Sequence, residues 1–154
     1  MGSYFLDTSA IVKHYVPEQG HAWIVTLCDS APNHELYISQ AALVEVVAAM
    51  CRRTREQSMT TIDRDRLIST FRQDCHNFFN IWPVTTAVYT IAGDLCCSYS
   101  LRAYDAVQLA CVLTLRSKAL AAQASAPIFV CADIDLINIA LSVKLSIENP
   151  NNYP

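Results

Sequence analysis

The sequence predicts an α/β fold built on a parallel, helix-covered sheet. Three observations point there: short apolar runs recur along the chain, segments of helical period separate them, and the connections between the two are short. A chain of 154 residues that is 53% apolar and 16% charged suits one compact domain with a sizeable core and lies far from disordered compositions.

The elements follow in order. "SYFLD" is a short apolar run ending on Asp7, and "TSAIVKHYV" places Ile11, Val12 and Tyr15 at helical spacing until Pro17 stops it. "ELYIS", residues 35–39, alternates as a strand does, after a polar loop over 29–34. A helix is expected over 40–54, its basic last turn of Arg52, Arg53 and Arg55 complementing the negative end of the dipole. Leu67, Phe71, Cys75 and Phe78 mark another amphipathic helix, and Val84, Val88, Ile91 and Leu95 the next. An almost wholly apolar helix, "AYDAVQLACVLTLR", spans 103–116 and precedes an alanine-rich stretch over 119–126. The strand "PIFVCAD", a short helix over 134–141, the strand "VKLSIE" and a polar tail complete the chain. Neither an internal repeat nor a domain boundary appears, so residues 1–148 read as a single domain and 149–154 as its tail.

Charge and cysteine usage narrow the function classes. A net charge of −3 argues against a protein that coats nucleic acid nonspecifically, though not against an enzyme whose acidic site holds a cation. Seven cysteines, an odd number without a CxxC pair, read as reduced core thiols. No run is long and apolar enough to span a membrane, and Asp7 arrives too early for a signal peptide, so a cytoplasmic protein is expected.

Four acids stand out on this map. Asp7 and Asp133 end strands, where open parallel sheets bind ligands; Asp105 opens the apolar helix; Glu45 interrupts the apolar run "AALVEVVAAM" about one and a half turns into its helix. Each has a plainer reading. Asp7 and Asp133 suit helix caps, Asp105 a first-turn acid favoured by the dipole, and Glu45 a helix face that reaches solvent. The alternative is that the carboxylates crowd together at one end of the sheet and share a hard divalent cation, which polarises a phosphodiester and activates water.

"YFLDTSAIVKHYVPE", "YISQAALVEVVAAMCRR", "LRAYDAVQLA" and "IFVCAD" resemble the four acidic motifs of the PIN-domain ribonucleases, in particular the VapC-type toxins of bacterial toxin–antitoxin pairs, over residues 4–148. The resemblance implies a three-layer α/β/α PIN-like fold with a central, mostly parallel sheet. It further implies a Mg²⁺- or Mn²⁺-dependent endoribonuclease, with Asp7, Glu45, Asp105 and Asp133 as metal-binding acids and Asp135 as a spare for the fourth. Thr8 or Ser9 would add a hydroxyl, and cleavage would leave a 3′-hydroxyl and a 5′-phosphate. Lys13, Arg52, Arg53, Arg55 and Arg102 are the candidates for gripping RNA. Cys131 departs from the Ser or Thr that the family often has two residues before its last Asp.

The resemblance also implies a homodimer held inactive by a cognate antitoxin, for which Tyr15, Val16, Trp23, Ile24 and Leu27 offer either an apolar partner groove or ordinary core. Two rivals remain. A phosphoryl-transfer enzyme of the haloacid-dehalogenase kind also starts from an aspartate after the first strand, but expects a second Asp where Ser9 stands. A PIN-like module that binds RNA or protein without cutting is the other.

Overall fold

A computed structural model describes residues 2–154. Among them, five strands form one sheet: β1 (Gly2–Leu6), β2 (His34–Ser39), β3 (Asn80–Trp82), β4 (Ile128–Val130) and β5 (Ser146–Glu148). Their order is β3-β2-β1-β4-β5 and every pairing is parallel. Seven helices connect and cover them: α1 (Thr8–Tyr15), α2 (His21–Asp29), α3 (Ala42–Arg55), α4 (Thr61–Asn77), α5 (Thr86–Ser98), α6 (Ala103–Ala121) and α7 (Ile134–Ser142).

The layering follows from strand alternation, which sends successive side chains to opposite faces. Phe5 and Phe129 point into a core shared with α5, α6 and α7. Their neighbours Leu6 and Val130 point into a second core shared with α1 to α4. Both faces are therefore buried, which is why β1 and β4 read as near-continuous apolar runs. The result is a three-layer α/β/α fold.

Several elements differ from the sequence expectation, each for a physical reason. β3 is only three residues long, too short to show alternation, and exists because it pairs with Tyr37, Ile38 and Ser39 at the sheet edge. Helix α3 starts at Ala42, because the Gln40 N–H bonds Trp82 O at 2.9 Å and its side-chain Oε1 accepts from Val84 N at 3.0 Å, extending the sheet connection by two residues. Helix α6 continues to Ala121, as expected of alanine's helix propensity.

Of the two readings of the apolar set on the N-terminal helices, core is the one the structure shows. Tyr15, Ile24 and Leu27 are buried in the second core and Val16 packs against it. Trp23 lies flat on Tyr153 of the tail, with ring centroids 4.8 Å apart and planes within 4°. A 3₁₀ turn over Pro150–Asn152 carries that tail back onto the loop before α2. There Gly20, at φ 83°, passes so close that a Cβ would stand 2.4 Å from Pro150 O. All seven cysteines are free thiols. No helix of the described residues is long and apolar enough to cross a membrane.

Candidate active site

β1 has β2 on one side and β4 on the other, so the chain reverses its direction of travel across the sheet between β1 and β4. In open parallel sheets that reversal opens a crevice at the carboxyl ends of the strands. Four helices bring their first turns to it: Asp7 is the N-cap of α1, Glu45 lies in the first turn of α3, Asp105 in the first turn of α6, and Asp133 is the N-cap of α7. The positive ends of the helix dipoles favour carboxylates at these positions. All four acids line one pocket of about 650 Å³. Glu45 is nearer its helix start than the sequence suggested, because α3 begins two residues later than expected.

Each carboxylate uses one oxygen for structure. Asp7 Oδ2 accepts from Ser9 N at 3.1 Å and from the Ser9 hydroxyl at 2.6 Å. Glu45 Oε2 accepts from the Thr8 hydroxyl and from Gln108 Nε2, the latter at 2.8 Å. Asp105 Oδ2 accepts from Arg102 Nε at 3.0 Å, and Asp133 Oδ1 accepts from Asp135 N and Leu136 N at 3.0 and 3.2 Å. The second oxygens of Asp7, Glu45 and Asp105 make no hydrogen bond among the described residues, and that of Asp133 stands 3.6 Å from Arg102 Nη2. Capping and ligation are thus compatible at one residue, since a carboxylate has lone pairs for both.

Gln108 is the residue that sequence reading passed over. It is wholly buried, and its Nε2 reaches both Glu45 and Thr8 Oγ1, the latter at 3.0 Å. Its Oε1 is buried without a partner. The available signal was the same as for Glu45: one polar residue in an otherwise apolar helix face. What meets Glu45 inside the protein is therefore a pair of neutral donors, and the side chain is half-buried.

Ser9 links two strands' ends, donating to Asp7 while its oxygen accepts from Ala132 N at 3.0 Å. The Cys131 thiol sits 3.7 Å from Asp7 Oδ2 and 3.8 Å from Ser9 Oγ, within reach for weak sulfur hydrogen bonds. Lys13, Arg52, Arg53 and Arg102 line the pocket with Thr8 and Ser9, whereas Arg55 and Asp135 are exposed and lie outside its lining.

Burial pushes the Asp7 carboxyl up to about 6; the Ser9 hydrogen bonds pull against this, and the Glu45 and Asp105 charges add to it. Mutual repulsion with an all-oxygen donor set is the chemistry of a hard divalent-cation site. As the side chains stand, no three His, Cys, Asp or Glu residues among those described close on one point. The Arg102 guanidinium lies against both Asp105 and Asp133.

Solved structures share this architecture. FitAcB from Neisseria gonorrhoeae superposes with a TM-score of 0.64 at 17% identity, covering 96% of this chain and 97% of that one. VapBC2 from Rickettsia felis, bound to a DNA fragment from its promoter, gives 0.61 at 16%, covering 96% and 98%. PAE2754 from Pyrobaculum aerophilum gives 0.60 at 18%, covering 98% and 85%. At these identities the likeness is one of fold. No curated protein matches the chain. The PIN-domain family model matches residues 4–139, the span that holds all four acids and every helix N-terminus that presents them, and the chain therefore belongs to the PIN domain family.

Proposed function

We propose that this protein is a divalent-metal-dependent endoribonuclease and the toxin of a toxin–antitoxin pair. One observation carries the reading: four helix N-termini present four carboxylates to one pocket, three with a wholly unbonded oxygen and the fourth with an oxygen facing only Arg102. PIN domains are in general metal-using nucleases, which supports the same chemistry here. Asp7, Glu45, Asp105 and Asp133 would hold Mg²⁺ or Mn²⁺ through these oxygens, with Asp135 outside the set. Such an ion supplies charge neutralisation at phosphorus and lowers the pKa of water. Thr8 and Gln108 keep Glu45 turned into the pocket, and Ser9 does so for Asp7. Attack by water, with no role for the 2′-hydroxyl, leaves a 3′-hydroxyl and a 5′-phosphate.

The similarity in fold to structures described as VapBC2 and as a toxin–antitoxin complex from Klebsiella pneumoniae supports an antitoxin as partner. Val44 and Tyr104 line the pocket and are each 53% exposed, apolar surface that a covering antitoxin would bury. A homodimer and a cytoplasmic site of action complete the reading. A PIN-like module that binds without cutting is the second reading, favoured by Arg102 already pairing with Asp105 and standing 3.6 Å from Asp133.

The test is cleavage of a panel of RNAs by antitoxin-free protein with Mg²⁺ or Mn²⁺, beside Asp7→Asn and Glu45→Gln. Metal-dependent cuts absent from both variants establish the nuclease. A folded protein whose thermal midpoint ignores both metals supports the binding module instead.

A further inference from the structure

We propose that Lys13, Glu18 and Arg53 form a preformed binding subsite for a backbone phosphate of the RNA strand, adjacent to the phosphate held at the acids. It rests on the nuclease reading above and assigns the substrate contact at the opposite end of the same pocket.

Helices α1 and α3 pack together and both line the pocket, and both run from an acid at the N-terminus to cations in the last turn: Asp7 to Lys13, and Glu45 to Arg52 and Arg53. At 1.5 Å per residue, Lys13 lies about 7.5 Å further along α1 than Thr8. The pocket thus has an acidic end and a basic end on the same two helices, as a strand crossing it with one phosphate at a cation and the next at an ammonium requires.

Lys13 is unlike a solvated surface lysine, because its side chain is 8% exposed. Its Nζ donates to Glu18 Oε1 at 3.2 Å and to Gln19 O at 2.9 Å, and no other acceptor is bonded to it among the described residues. An ammonium has three N–H groups, so one remains for an anion. Leaving it unpaired in so dry a place is unfavourable. Glu18 Oε2 accepts from Arg53 Nη2 at 2.8 Å, so one carboxylate is shared by two cations and the cluster keeps one uncompensated positive charge. That matches one bridging phosphate.

The loop carrying Glu18 is held from outside. Gln19 Nε2 donates to Asn151 O at 2.6 Å, Gly20 abuts Pro150 O, and His21 Nδ1 pairs with Lys13 O at 2.6 Å. The cations are therefore fixed in place before any strand arrives, which reduces the entropy cost of binding.

The experiment measures binding of a short single-stranded RNA of mixed sequence in Mg²⁺ at several salt concentrations. It uses the Asp7→Asn chain so that the strand survives, alone and with Lys13→Met, with Arg53→Ala and with both added. Lys13→Met keeps the apolar stem, and Arg53→Ala alters a half-exposed side chain, so the second reports even where the first disturbs folding. Each phosphate contact on a single strand contributes about 0.7 to the slope of log K against log salt. The slope should become shallower by up to about 0.7 in each variant and by the same ~0.7 in the double variant, because one phosphate is lost, while Arg66→Ala on α4 leaves it unchanged. Equal slopes in the Asp7→Asn parent and both added variants, where the unaltered chain cuts RNA, would overturn the subsite and leave the nuclease intact. An Asp7→Asn parent that does not bind RNA, together with an unaltered chain that does not cut it, overturns both.

Discussion

Gln108 and Glu45 meet between α6 and α3, with the wholly buried amide donating from Nε2 to Glu45 Oε2 at 2.8 Å. A donor at this place holds the carboxylate in one rotamer, with Oε2 occupied and Oε1 turned to the pocket. Gln108→Leu should destabilise by no more than about 1–2 kcal/mol, because the two lost hydrogen bonds are partly offset by removing the buried, unpartnered Oε1. The thermal stabilisation conferred by Mn²⁺ should shrink severalfold. An undiminished metal response would show that Gln108 has no part in positioning Glu45.

Asp7 sets a pH dependence of known sign. Its carboxyl titrates near 6 in the folded protein and at 3.8 when free, so between these values the native state binds the extra proton. Stability is then lost as pH rises from about 4 through 6, by about 3 kcal/mol at 1.36 kcal/mol per unit. Asp7→Asn removes this cost and keeps an N-cap. Denaturant midpoints of parent and variant should agree near pH 4 and separate in favour of the variant at pH 8. A variant less stable than the parent at pH 8 would refute the account. Metal affinity should weaken as pH falls below about 6, where the ligand becomes protonated.

Arg102 covers Asp105 and Asp133 with a side chain that is 80% exposed. Such a surface pair contributes little to stability, so Arg102→Ala should leave the thermal midpoint of the metal-free protein within about a degree or two. Without the competing guanidinium, Mn²⁺ should bind severalfold more tightly, as read by titration of the paramagnetic ion. Weaker or equal binding would mean that Arg102 does not compete with a metal.

Gly20 is required twice, by its φ of 83° and by the Pro150 carbonyl against it. Gly20→Ala should destabilise by about 1–3 kcal/mol through strain and displacement of the tail. Fluorescence of the Trp23–Tyr153 stack reports whether the tail has lifted. A variant of parental stability with an unaltered Trp23 signal would place the tail's attachment elsewhere.

Local features made much of this molecule readable. Apolar runs buried on both faces marked β1 and β4, and an aspartate following each run marked Asp7 and Asp133 as helix starts, because strand period and capping act within a few residues. Asp105 opening α6 is legible for the same reason. Groove and core stayed open for the set Tyr15 to Leu27 because periodicity gives an apolar face without saying what covers it. Here the second core and Tyr153 do so.

The fold class, the strands β1 and β4 and the placing of Asp7, Asp105 and Asp133 at helix starts are properties of the sequence alone, since each arises from neighbours in the chain. The start of α3, the existence of β3, the amide of Gln108 on Glu45, the guanidinium of Arg102 across Asp105 and Asp133, and the tail closing on Gly20 arose only with folding. Most of these contacts join residues tens of positions apart. Their energies depend on distances that no local pattern encodes, and a hydrogen bond has value only when packing brings its two ends within about 3 Å.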